Sequence, residues 1–128
     1  SEKLGGDADP MIRHVVLLQV SDAISHTQVD EVLERLEANA MATPGIIAFV
    51  GGRKLTDSWM GQGFTHCYTI DFADEAARDI YLDRLDQDET CWKLSDIMVG
   101  GLGGILSINL DITDIRFADD VRLKKDMK

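Results

Sequence analysis

The sequence is sparing with the residues that usually announce chemistry. Its 128 residues include two prolines, two cysteines and three histidines. Cys67 and Cys91 form neither a CxxC pair nor a disulfide-dense framework, so reduced thiols and a cytoplasmic setting are expected. Positive charge is also scarce. Thirteen Lys and Arg face 23 Asp and Glu, for a formal charge of −10. Nucleic acid and anionic membrane surfaces would be repelled by that balance, and neither is expected as a partner. No apolar run reaches the ~20 residues of a membrane span. Residues 1–10 lack an apolar signal-peptide core and read as a flexible leader or an expression remnant.

Motifs for common chemistries are missing as well. Gly100, Gly101, Gly103 and Gly104 precede a strand pattern instead of opening a helix, so they read as a flexible joint and not a phosphate loop. No Ser-His-Asp order or paired-carboxylate spacing stands out. The histidines have no third ligand at metal-binding spacing. Neither a metal nor a cofactor is expected.

What is present is clear periodicity. In Gly63–Phe72, the residues Phe64, His66, Tyr68, Ile70 and Phe72 alternate with Thr65, Cys67, Thr69 and Asp71, the pattern of a half-buried strand. Met11–Val20 is β-branched and apolar on both parities in its middle, as a central strand would be. After turn residues 21–27, with Ser25–Gln28 or Thr27–Asp30 as possible caps, Val29, Val32, Leu33, Leu36 and Ala40 form a helical stripe. Thr43-Pro44-Gly45 ends that helix. Ile46–Val50 is a short strand closed by Gly51-Gly52, and 53–62 is a loop holding Trp59 and Met60. Asp74 caps a second helix whose expected buried stripe is Ala77, Ile80, Tyr81 and Leu85. A short helix within 87–99 and a strand over 105–112 follow; in that strand Leu106, Ile108, Leu110 and Ile112 share a face. Residues 113–128 form a charged tail in which Ile115, Phe117 and Val121 could pack on a neighbour.

The order β-α-β-β-α-β predicts an α+β, ferredoxin-like domain over residues 11–112: a four-stranded antiparallel sheet with helices on one face. Strands one and three then lie side by side. His14, Val16, Leu18, His66, Tyr68 and Ile70 fall on the helix-covered side, and Val15, Leu17, Thr65, Cys67 and Thr69 on the bare side. A bare face that apolar calls for cover, and pairing through a two-fold axis supplies it, so a homodimer is expected.

MIRHVVLL, PGIIAFVGG and GFTHCYTIDFADEAARDIYL resemble, in type and spacing, the stress-responsive A/B barrel family of dimeric α/β barrels. The resemblance implies sheet-to-sheet dimers and, in some members, polyketide cyclase activity from histidine and tyrosine in a pocket between sheet and helices. By that resemblance His14 and His66 match the histidines of the first and third strands, and Tyr81 matches the tyrosine of the second helix. Arg84 and Gln87 stand where the family's H-P-x-H segment places histidines, so the usual acid/base residue is absent.

His14, His66, Tyr68, Tyr81 and Trp92 are therefore the candidate ligand-binding residues, with the two histidines converging on one pocket for an apolar or aromatic small molecule. No catalytic residue is assigned. A cyclase or cofactor-free oxygenase is one alternative, and a ligand-free structural or stress-protective dimer is another. Trp59 is a candidate lid or pocket wall. Alternation sends Cys67 and His66 to opposite faces, which excludes a nucleophile–base pair. Cys67 is expected in the dimer interface and Cys91 in helix packing.

Overall fold

A computed structural model describes residues 11–118. The leader 1–10 and residues 119–128 of the tail, Val121 included, lie outside them. Four antiparallel strands, β1 (Met11–Leu18), β2 (Ile46–Arg53), β3 (His66–Phe72) and β4 (Ile105–Ile112), form one sheet in the order β2-β3-β1-β4. Helices α1 (His26–Met41), α2 (Glu75–Gln87) and α3 (Thr90–Asp96) complete the ferredoxin-like fold.

Helix α1 starts where its cap chemistry says it should. Ser25 Oγ accepts from Gln28 N–H at 3.2 Å, and Gln28 Oε1 accepts from Ser25 N–H at 3.2 Å, a reciprocal capping box. Val29, Val32, Leu36 and Ala40 are buried, with Leu33 half-buried beside them. The helix stops at the turn before Gly45. That glycine has φ +88° and lies so close to α2 that a Cβ there would meet Ala77 Cβ at 2.8 Å. Glycine is needed here for both its backbone and its size. Asp74 caps α2 by accepting from Ala77 N–H at 2.9 Å.

Val16, Leu18, Tyr68, Ile70 and Phe72 from the sheet meet the helices in a single core with Leu36, Tyr81 and Leu94. Four local expectations need correction. Strand β2 runs on through Gly51 and Gly52 to Arg53, because ladder pairing with β3 (Arg53 opposite His66) holds an edge that glycine alone would not favour. Strand β1 ends at Leu18, and Val20 makes only an isolated bridge to Met98. Strand β3 begins at His66, three residues later than its alternation suggested. Ile80 is exposed, since α2 turns Ala77 and Tyr81 inward and half-buries Leu82 and Leu85.

The apolar residues of β4 lie on the side away from the helices. Leu106 pairs with Leu17 and Ile108 with Val15, so all four share the bare face. On the same face, toward one end of the central strands, Arg13 Nε and Nη2 donate to the two carboxylate oxygens of Asp71 at 2.7 and 3.0 Å. This bidentate pair satisfies the charged groups of the face within the protomer.

Candidate functional site

The register separates the two histidines. His14 stands opposite Ile70 and His66 opposite Leu18. Those positions are four residues apart along the strand, about 13 Å at ~3.3 Å per residue. Both do face the helix side, but they belong to different surroundings and do not converge on one pocket.

His14 is almost fully buried. Its Nδ1–H donates to Asn109 Oδ1 at 3.0 Å, and its ring meets Tyr81 edge-on with centroids 6.2 Å apart. Burial lowers its pKa, only partly opposed by the Asn109 hydrogen bond, and nearby Arg78 lowers it further. A neutral imidazole results. Tyr81 packs on Phe72 at 5.6 Å and its buried hydroxyl has no hydrogen-bond partner of good geometry. Burial pushes its pKa up to about 12. Tyr68, also buried, lies close enough for the two phenols to influence each other's titration, and its pKa is raised chiefly by burial.

His66 occupies a more open position. It lines a cleft of about 370 Å³ between α1 and the β2–β3 side of the sheet, together with Leu33, Phe49, Arg53 and Tyr68. Phe49 and Tyr68 stack there, with centroids 5.5 Å apart and planes 16° from parallel. Thr65 Oγ1 lies 2.8 Å from His66 Nδ1. Desolvation lowers the His66 pKa, followed by the positive charge of Arg53, while Asp30 acts in the opposite sense. Asp30, Glu34 and Glu37 give the α1 wall of the cleft a negative rim. His26, exposed at the first position of α1, accepts from Arg53 Nη1 at 3.4 Å.

Trp92 stands apart from both histidines. It is 75% exposed on α3 and lines neither cleft nor core. The expectation of a pocket wall there fails because α3 packs through Leu94 and Thr90 instead. Trp59 is exposed too, although its neighbour Met60 borders a broad hollow of about 780 Å³ on the bare face. Phe49 and Arg53 were missed from sequence. For Arg53 the clue available was the continuation of β2 past its glycines. Among the described residues no three His, Cys, Asp or Glu side chains gather as metal ligands would, and no helix is long and apolar enough to cross a membrane.

The family model of the stress responsive A/B barrel domain (Dabb) matches residues 12–98. This chain belongs to that family. The A/B barrel domain is similar to a dimeric ferredoxin-like protein of unknown function from Jannaschia sp. CCS1, with 22% identity and a TM-score of 0.70 over 80% of this chain and 99% of the other. A hydroxynitrile lyase from Passiflora edulis has 19% identity and a TM-score of 0.62, over 84% of this chain and 97% of its own. A cofactor-independent oxygenase from Streptomyces nogalater has 13% identity and a TM-score of 0.64, over 84% and 97%. No curated protein matches the domain. Likenesses at these identities carry the fold.

Proposed function

We propose that residues 11–112 form a cytoplasmic homodimer that binds a small aromatic or apolar molecule in the cleft between α1 and the β2–β3 side of the sheet. One observation supports this above the others. A half-buried histidine borders an aromatic stack in a cleft of about 370 Å³, within the range of small-ligand sites. Phe49, Tyr68 and Leu33 offer the apolar bed. His66 is the polar end and, being neutral through burial, accepts or donates a single hydrogen bond. The acidic rim from Asp30, Glu34 and Glu37 disfavours a free carboxylate ligand and favours a neutral phenol-like one. The dimer half of the reading rests on the bare face, whose apolar residues from β1 and β4 are uncovered in the protomer.

Titration with phenol, followed by backbone amide NMR, tests the ligand reading. Shifts should concentrate at Phe49, His66 and Tyr68, and His66→Ala should weaken binding by about tenfold, the loss of one good hydrogen bond. Shifts scattered over the surface, or confined to the bare face, would refute the cleft. Native mass spectrometry of freshly purified protein reports the subunit count and any retained small molecule together.

A further inference from the structure

The loop between β2 and β3 is ordered, yet it holds its largest apolar side chains in solvent. Leu55 is 97% exposed, Trp59 85% and Met60 69%. A short 3-10 turn at Trp59–Gly61 fixes their positions. Ser58 Oγ accepts from Met60 N–H, Ser58 O from Gly61 N–H, and Gly61 O from Phe64 N–H. At the base of the loop, Lys54 N–H donates to Thr65 O at 2.7 Å. A loop braced in this way cannot collapse to hide its own apolar residues.

Its position points to what covers them. Met60 and Phe64 form one side of the 780 Å³ hollow, whose floor is the bare face at Leu17, Cys67 and Thr69. The floor is deep there because β3 carries small residues and β2 carries glycines. At the opposite sheet edge, β4 raises a ridge of Leu106, Ile108 and Leu110 on the same face. The hollow lies mainly over β2 and β3 and reaches Leu106, where the ridge begins, while Ile108 and Leu110 carry the ridge along the opposite edge of the same surface. A two-fold axis parallel to the strands lays opposite edges over each other and keeps like ends together. An axis across the strands would set ridge on ridge. The parallel axis therefore seats each ridge in the other copy's hollow. It also brings the β2–β3 loop of one copy against the start of β4 in the other, where Leu102 and Leu106 are exposed. Loop and β4 start share an end of the sheet, since Leu18 pairs with both His66 and Ile105.

We infer that the β2–β3 loop is a dimer arm, with Leu55, Trp59 and Met60 packing on the partner copy around the beginning of β4. The inference rests on the homodimer proposed above and adds to it the axis and the arm. A lipid surface is the less fitting occupant for a chain of net charge −10.

The test uses Trp92→Phe, which leaves Trp59 as the single tryptophan of the two. Native mass spectrometry gives the subunit count, and acrylamide quenching of Trp59 is compared with the same protein carrying Ile108→Asp. Shielding by an interface should lower the quenching constant at least about twofold in the dimer, with exposure restored by Ile108→Asp or by dilution. A dimer whose Trp59 is quenched as freely as in the Ile108→Asp protein overturns the arm and leaves the dimer standing. A monomer at every concentration overturns the dimer, and the arm with it. Shielding that appears only on adding phosphatidylcholine vesicles assigns the loop to lipid and also overturns the arm. As a second measurement, Leu55→Ser with Trp59→Ser should raise the dimer dissociation constant about tenfold or more while the circular dichroism of the protomer is unchanged, as expected for a contact between copies. An unchanged constant overturns the arm as well.

Discussion

The two faces of this sheet use similar residues and come to different ends. On β1, Val16 and Leu18 are buried under α1 and α2, whereas Val15 and Leu17, their immediate neighbours, lie on the uncovered side and are only half-buried. Composition does not separate the faces, because aliphatic side chains alternate across both. Helix coverage does. The polar groups differ too. The covered face encloses His14, Tyr68 and Tyr81, where the Tyr81 hydroxyl makes no hydrogen bond of good geometry, while the bare face carries an ion pair already satisfied within the protomer. A satisfied pair on an apolar surface is ready to be covered by another chain.

This contrast breaks most sharply when one residue is removed from each side. Phe72, fully buried on the covered face, should cost about 3–5 kcal/mol of protomer stability when changed to Ala, measured by urea unfolding in an Ile108→Asp background so that dimerisation does not contribute. A loss below about 1 kcal/mol would mean the covered face is not the stabilising one.

Ile108→Asp by itself is the mirror experiment. It sits half-exposed on the bare face, so protomer unfolding should change by no more than about 0.5 kcal/mol. Self-association measured by sedimentation should weaken by about 100-fold, because a carboxylate would be buried unpaired between two sheets. Equal association of the two proteins would remove the bare face from the interface.

A smaller effect sharpens the covered side. Tyr81→Phe deletes a buried hydroxyl that makes no hydrogen bond of good geometry and keeps the ring against Phe72 and His14. Stability of the ligand-free protein should hold or rise, by up to about 1 kcal/mol, as desolvation of an unmet hydroxyl is relieved. A fall of similar size would show that the hydroxyl is bonded after all.

The smallest effect is a dependence on pH. Folding lowers the pKa of His14 below its ordinary 6.5, chiefly through burial, so the unfolded chain binds the proton more readily. Stability from this group is complete above about pH 6.5 and declines as pH falls toward the lowered value. His66 shifts in the same direction and adds to the same window. His14→Asn should therefore flatten the slope of melting temperature between about pH 6.5 and 5 relative to the parent. A parallel slope would locate the titrating group elsewhere. Asp88 acts in a separate, more acid range. Hydrogen bonds from Thr90 and then Asn39 hold its pKa down to about 2.

Much of the fold was readable before any coordinates. The stripe from Val29 to Ala40, the Ser25–Gln28 cap and the alternation through Tyr68 and Ile70 are local patterns with local causes, and each appears in the structure. The family was suggested by the resemblance carried in MIRHVVLL, PGIIAFVGG and GFTHCYTIDFADEAARDIYL, and its model matches residues 12–98. The site was less legible. Arg53 reaches His66 only because an edge strand continues through two glycines, which a propensity argument ends too soon. Trp92 carries the sequence character of a core residue, but α3 is short and anchored by Leu94 and Thr90, leaving the indole outside.

Which side chains share a strand face was determined by the sequence itself, since a two-residue period fixes it without reference to any other segment. Which histidine meets which neighbour was decided only by tertiary structure. Antiparallel register slides one strand along another, and that slide put His14 under Tyr81 and His66 at the rim of a cleft.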